Sequence, residues 1–196
     1  HPPKATAWAC SENKLENNSN IIFPSIRLFK NRNCFQFQGK IHEQIVHSIV
    51  NNYSMDKIGN TEIKIIHHGY DASRNNIKAK SKRNMKILNN YSEKDKDGFY
   101  YYNLGTEYLR KGNKKQALDY FKKALNITSS NYAYAPFLIK KTIITMLDLN
   151  RYKNVIHSLK KYQKLYPDFL DLFFLEAISH TTCGRYQEAN KCLSNY

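Results

Sequence analysis

The sequence predicts an α+β protein with a short β-rich part at the front and an all-α helical repeat array behind it. Two observations predict this class. Before residue 72, short runs of β-branched and aromatic residues alternate with polar residues, as in half-buried strands. From Gly98 onward the apolar residues follow a helical period, and that pattern repeats along the chain. The chain therefore divides into residues 1–72, a linker at 73–97 and a repeat region at 98–196.

Three segments of the front part have the alternation that is typical of strands, and they span 21–30, 34–41 and 61–67. The polar, asparagine-rich stretch 10–20 is predicted to be a loop. Asn31-Arg32-Asn33 is predicted to be a hairpin turn, because Asn tolerates the left-handed backbone region. Three strands are too few for a closed domain, so we expect them to be the end of a larger sheet.

A basic helix is predicted over 75–91, within the linker. Its apolar residues are sparse, and its many cationic side chains are expected to be mostly in water. These cationic residues are Lys78, Lys80, Lys82, Arg83 and Lys86.

The repeat region carries small residues at regular spacing. Ala117, Val155 and Ala189 occupy equivalent positions, 38 and 34 residues apart. A 34-residue unit of two helices is the tetratricopeptide period. The first unit resembles that family at seven signature positions, namely Tyr101, Leu104, Gly105, Tyr108, Ala117, Phe121 and Ala124. The expected units are 98–131, 136–169 and a truncated 170–196, with Gly112 in the first turn between helices.

Composition excludes several classes of protein. Hydrophobic residues make up 41% and aromatic residues 13% of the 196 residues, which excludes global disorder. No run approaches the roughly 20 apolar residues of a membrane span. The net charge of +15 permits a polyanionic partner, but the excess is spread along the chain and Lys far outnumbers Arg. The sequence therefore does not favour a nucleic-acid partner.

The four cysteines are Cys10, Cys34, Cys183 and Cys192, and no two of them have the C-x-x-C spacing of zinc ribbons or redox motifs. The simplest interpretation is four unpaired thiols in a reducing compartment. We therefore expect a cytoplasmic protein.

The order of motifs in the first half resembles the distal part of bacterial family 2 glycosyltransferases, from about residue 21 to 126. The motifs are segments 25–30, 37–44, 65–70 and 80–84, followed by the repeats. The resemblance implies a GT-A fold and transfer of a sugar from a nucleotide-sugar donor to a protein or glycan acceptor. The Asp-x-Asp motif of that family does not occur before His42. We therefore expect an incomplete catalytic domain that is inactive alone.

The resemblance also implies roles for individual residues. His42 is the candidate ligand of a divalent metal, Mn or Mg, in the complete enzyme, and Glu43 is the candidate acceptor-side base. Arg27, Lys40 and His68 are candidates for substrate contact. The alternative for His42 is a residue at the end of a strand that hydrogen-bonds to nearby backbone. The alternative for Arg27 is a cation on an exposed strand edge. No cofactor is expected to bind this chain alone.

The repeats suggest a second class of function. Stacked helix pairs form a surface that binds extended peptides or partner helices. Tyr102, Asn103 and Arg110 are the candidate partner-binding residues, with ordinary packing as the alternative. The occupant would be the acceptor protein or a second subunit, and a homodimer would use the apolar residues around 169–174. The alternative for the whole chain is a non-catalytic tetratricopeptide scaffold.

Overall fold

The computed structural model describes residues 5, 7–16, 19–37, 39–41, 43, 45–67, 74–132 and 134–194. It is mostly helical with one small sheet, which confirms the predicted α+β class. The chain forms two compact units, His1–Arg83 and Asn84–Tyr196. The division lies within the predicted linker.

The first unit contains a three-stranded sheet. Its strands are β1 (Ala7–Glu16), β2 (Ser19–Phe29) and β3 (Ile58–His67), in the spatial order β2-β1-β3. β1 pairs antiparallel with β2 and parallel with β3, so β1 is the central strand. The predictions for β2 and β3 are confirmed. The predicted loop at 10–20 is wrong at residues 10–16, which belong to β1, and at residues 19–20, which belong to β2. Pairing between strands outweighs the polar composition of this segment.

The predicted strand at 34–41 is also wrong, and with it the hairpin turn at 31–33. Its described residues form an irregular connection in which the Phe35 N–H donates to the Arg32 carbonyl at 3.0 Å. The Gln36 N–H donates to Ser48 Oγ at 3.0 Å instead of to a neighbouring strand. The Phe35 ring packs edge-on against Phe29 and Tyr53. The alternating aromatic residues thus anchor a loop.

A short helix completes the core of the first unit. It is α1 (Val46–Asn52), and a turn of 3-10 helix at Met55–Lys57 leads from it into β3. Ala7, Ile45 and Ile49 are buried together between helix and sheet, and each is at most 3% exposed. Partly buried side chains surround them, namely Ile26, Phe29, Phe35 and Ile58.

The predicted basic helix is present as α2 (Arg74–Asn89), followed by a 3-10 turn at Glu93–Asp95. Its five predicted cationic side chains are all exposed. Leu88, on the opposite face, is only 1% exposed. The helix is therefore amphipathic in the way its sequence predicts.

Six helices form three consecutive pairs in the second unit. The pairs are α3 (Gly98–Arg110) with α4 (Lys114–Ile127), α5 (Ala135–Asp148) with α6 (Tyr152–Leu165), and α7 (Asp171–Thr182) with α8 (Tyr186–Ser194). Each pair turns through a residue of positive φ: Gly112 at 79°, Asn150 at 59° and Gly184 at 72°. These residues cap the preceding helices in the left-handed conformation.

The core of the helical unit follows the small residues of the sequence pattern. Ala117, Val155 and Ala189 are 0%, 0% and 4% exposed. A larger apolar cluster spans all three pairs and consists of Leu118, Ile139, Ile143, Met146, Val155, Leu159, Leu172 and Leu175. Within the described parts of the chain, no helix has both the length and the hydropathy to cross a membrane.

Candidate functional site

The close approach of α3 and α4 sets the geometry of the repeat surface. A Cβ on Gly105 would lie 2.6 Å from the Phe121 ring and 3.1 Å from the Ala117 carbonyl oxygen. The side chains of Asp97 and Asn113 cap the two helices by accepting from the N–H groups of Tyr100 and Gln116. Each cap satisfies a backbone N–H of the first turn and so stabilises the start of its helix.

The first helices of the three pairs, α3, α5 and α7, are neighbours. Lys141 on α5 donates to Thr106 Oγ1 on α3 at 3.1 Å, and its Nζ lies 4.9 Å from the centroid of the Tyr102 ring. Lys140 pairs with Asp171 on α7 at 2.8 Å. Burial raises the pKa of the Tyr102 phenol, and nearby Arg110 opposes that shift. Tyr102 is therefore a neutral aromatic group beside a cation.

The same helices expose apolar side chains. Phe137, Lys141 and Ile144 lie on one face of α5 at helical spacing, and Phe137 and Ile144 are 54% and 37% exposed. Phe174 and Ile178 lie one turn apart on α7 and are 48% and 37% exposed. We call this surface the inner strip, and it consists of Tyr102, Phe137, Lys141, Ile144, Phe174 and Ile178. The inner strip combines apolar contact area with positive charge, a combination that suits the docking of a peptide.

The structure places the three predicted partner-binding residues differently. Tyr102 is half-buried in the inner strip, and Arg110 is exposed at the end of α3. Asn103 is only 5% exposed and its amide donates to the Phe99 carbonyl at 2.8 Å. Asn103 therefore offers little surface to a partner, because its side chain is committed to its own helix. Leu172, within the predicted apolar patch, is buried in the core.

Helix α3 also carries a buried carboxylate, and sequence reasoning missed it. Glu107 is 2% exposed, and its Oε1 accepts from Asn84 Nδ2 at 2.8 Å and from Arg110 Nη1. Its Oε2 is buried and has no hydrogen-bond partner among the residues that the structure describes. The i,i+3 spacing to Arg110 signals the ion pair, but its burial depends on α2 packing against α3. Arg110 is thus a structural partner of Glu107 as well as a surface cation.

An open cleft of about 510 Å³ lies between α4, α5 and α6. Leu125, Ile143 and Met146 form apolar parts of its lining. Lys122 and Lys153 line it too, and both are exposed. The cleft is a concave surface of the helical unit, with two lysines in its lining that suit an anionic group.

The residues predicted by resemblance to glycosyltransferases lie in the first unit. His42 and His68 lie outside the described residues. Arg27 on β2 is exposed, as are Lys40 and Glu43 on either side of the buried Ile41. Gly39, with φ at 98°, turns the chain into this segment. Lys40 and Glu43 therefore lie at the surface of the first unit.

Three potential metal ligands meet in the third helix pair, although they are separated in the sequence. Glu176 and His180 lie one turn apart on α7, and Cys192 lies on α8. One ligand atom from each lies within 4.8 Å of the others. Burial, reinforced by the Glu176 carboxylate, raises the pKa of the Cys192 thiol to about 11. All four cysteines are free thiols.

Comparison with known proteins supports the predicted repeats and the predicted glycosyltransferase resemblance to different degrees. The tetratricopeptide repeat family model matches residues 99–131, which confirms that the chain contains a tetratricopeptide repeat. The chain is 28% identical over 162 residues to the SPbeta prophage-derived glycosyltransferase SunS of Bacillus subtilis and to glycosyltransferase SunS of Bacillus phage SPbeta. These matches cover 78% of the chain but only 36% of either relative. The chain thus spans about a third of the length of these curated relatives.

Solved structures resemble the helical repeats. The crystal structure of MamA has a TM-score of 0.51 at 16% identity and covers 62% of this chain and 74% of its own. The second TPR of Spaghetti (RPAP3), bound to the HSP90 peptide SRMEEVD, has a TM-score of 0.45 at 12% identity, with coverage of 60% and 93%. The likeness to MamA supports a tetratricopeptide-like helical repeat fold.

Proposed function

We propose that the chain is a segment of a nucleotide-sugar-dependent glycosyltransferase whose helical repeats bind the acceptor protein or peptide. The extent of the similarity to SunS carries this proposal. A match over 78% of the chain covers about 153 residues, whereas the helical unit spans only 84–196. At least about 40 matched residues must therefore lie in the β-rich unit. The similarity is not explained by the repeats alone.

The sheet is consistent with a piece of a larger catalytic domain. β2 and β3 form its two edges, and Leu28 and Ile63 on them are 43% and 49% exposed. Exposed apolar edge strands favour pairing with further strands. Under this proposal the missing strands bind the donor, a divalent metal such as Mn or Mg completes the enzyme, and the reaction takes place in the cytoplasm. The free thiols favour such a compartment.

The coding sequence on the amino-terminal side of His1 tests the catalytic part of the proposal. We expect a strand-rich segment that contains Asp-x-Asp, and transfer of sugar from a nucleotide donor by the protein that includes it. A start codon immediately before residue 1 would contradict the proposal. Calorimetry of the 196-residue chain with a nucleoside diphosphate and Mn²⁺ should show no binding, and tight binding would contradict the incomplete-domain interpretation.

The inner strip is the surface that we propose binds the acceptor. Its exposed apolar residues and Lys141 suit an extended peptide that carries apolar and acidic side chains. Peptides selected on the full chain from a displayed random library should have that composition. Ile144→Ser should weaken the binding of such a peptide, measured by fluorescence anisotropy, by about tenfold or more.

Ile127→Ser is the matched control for that variant. Ile127 is an equally apolar residue, 55% exposed, on the second helix of the first pair and outside the inner strip. The Ile127→Ser variant should leave the affinity for the selected peptide unchanged. Equal losses in both variants, or selection of basic peptides, would contradict this assignment.

A non-catalytic scaffold is the second candidate function, and the family match favours it. The matched residues 99–131 lie wholly within the helical unit, where the residues assigned to sugar transfer do not occur. Exposed Phe174 and Leu193 on the third pair would then bind a protein partner or a second copy of the chain. Sedimentation equilibrium distinguishes these cases, since only self-association makes the apparent mass depend on protein concentration.

A further inference from the structure

The third helix pair brings a carboxylate, an imidazole and a thiol to one place. Glu176 and His180 share a face of α7 because they are four residues apart. The left-handed turn at Gly184 reverses the chain, so that α8 packs against α7 and returns Cys192 to the same level. The candidate ligand atoms of all three side chains lie within 4.8 Å of one another.

The imidazole lacks the hydrogen bonds that its burial demands. His180 is 7% exposed, and its Nδ1 is one of three buried side-chain atoms without a partner among the described residues. Its Nε2 lies 3.7 Å from Glu176 Oε1, which is too long for a hydrogen bond. A buried polar atom left unpaired costs about 1–3 kcal/mol. An ion bound between Nε2 and Glu176 Oε1 would supply the contact that this distance leaves unmade.

The carboxylate is already oriented for a ligand. Gln163 on α6 donates from Nε2 to Glu176 Oε2 at 2.7 Å, which leaves Oε1 facing His180. Metal-binding carboxylates are commonly held by a hydrogen bond of this kind. Glu176 is 8% exposed, so its charge is poorly solvated and would be stabilised by a cation.

The set of donors selects the class of ion. A thiolate sulfur, an imidazole nitrogen and a carboxylate oxygen together suit Zn²⁺, whereas Mg²⁺ and Ca²⁺ prefer sites made of oxygen alone. Zinc lies about 2.0–2.3 Å from such atoms, which places neighbouring ligand atoms roughly 3–4 Å apart. The present separations of the candidate ligand atoms, at most 4.8 Å, are close to that range.

We propose that Glu176, His180 and Cys192 form a zinc-binding site that joins α7 to α8, with the fourth coordination position open to water. The Cys192 thiol gives up its proton to the solvent as the sulfur binds the ion. The site lies within the helical unit and does not depend on the glycosyl-transfer proposal. Its effect is to stabilise the third repeat pair, since the ion binds the folded arrangement and not the dispersed ligands of the unfolded chain.

Cobalt and zinc titrations of the metal-free full chain test the site. Co²⁺ should produce a thiolate-to-cobalt charge-transfer band in the near ultraviolet, with saturation at one equivalent. Zn²⁺ should abolish that band and should raise the midpoint of thermal unfolding by several degrees. Cys192→Ser should lose both the band and the thermal shift, and Glu176→Gln should weaken the binding of cobalt by at least tenfold.

Cys183→Ser is the matched control. Cys183 is an exposed thiol at the end of α7, only three residues from His180 but outside the cluster. This variant should keep the band and the shift, and circular dichroism should show that both serine variants remain folded. Loss of the band in Cys183→Ser with retention in Cys192→Ser would overturn the assignment. The absence of any thiolate band in the unaltered chain would overturn the proposal as a whole.

Discussion

Gly105 has a strict steric requirement at the crossing of α3 and α4. A methyl group there would overlap the Phe121 ring, and the nearby Ala117 carbonyl prevents α3 from shifting. We expect Gly105→Ala to lower the free energy of unfolding by about 1–3 kcal/mol, although alanine has the higher helix propensity. Urea denaturation measures this change. Phe121→Leu should cost less in the Gly105→Ala background than alone, and strict additivity would contradict the steric explanation.

Cys192 should react according to its raised pKa. With that pKa at about 11, the metal-free thiol carries little thiolate at pH 8. Alkylation by iodoacetamide should then be about a hundredfold slower than for free cysteine, whose pKa is about 8.5, and should accelerate as the pH rises. Mass spectrometry of labelled peptides, with EDTA present, measures the rate at this one site. Labelling at the rate of free cysteine would contradict the burial of the thiol.

The raised pKa of Cys192 also makes the free energy of unfolding depend on pH. Because the folded state holds this proton more tightly than the unfolded state, the contribution to folding is complete below about pH 8.5. It is lost as the pH rises toward about 11. This thiol therefore opposes unfolding in neutral solution and not in alkali.

At the scale of helices and strands, the sequence predicts the repeats well because their constraints are local. A left-handed turn residue and a small residue five positions later recur in each pair, as in Gly112 with Ala117 and Gly184 with Ala189. Both features depend on backbone geometry and close helix packing, which act within a few dozen residues. The helices consequently lie where the periodicity places them.

The sheet could not be predicted equally well, because its strands depend on partners far along the chain. β1 has the composition of a loop and becomes a strand only through pairing with β2 and β3. The segment 34–41 has the alternation of a strand but directs Phe35 toward Phe29 and Tyr53. The cluster of Glu176, His180 and Cys192 could not be predicted for a similar reason. The three side chains come close only because α8 packs back against α7.

At the scale of the molecule, the helical unit has the components of an independently folding domain. Its buried clusters lie entirely between Leu118 and Leu175 or between Ala117 and Leu138. Leu88 and Asn84 on α2 also belong to this unit, because the Asn84 amide supplies one of the two donors to the buried Glu107 carboxylate. A fragment that begins at the start of α2 therefore retains every buried contact described for the repeats.

We expect residues 74–196 to fold alone, with a helical circular dichroism spectrum and one cooperative thermal transition. A fragment of 98–196 should unfold several degrees lower, because it loses the Asn84 donor and the burial of Leu88. Leaving a buried carboxylate with one donor fewer costs about 1–3 kcal/mol. Glu107→Gln removes the charge but keeps the shape of the side chain. It should therefore reduce the difference in unfolding temperature between the two fragments. A longer fragment without a cooperative transition would show that the repeats need the β-rich unit in order to fold.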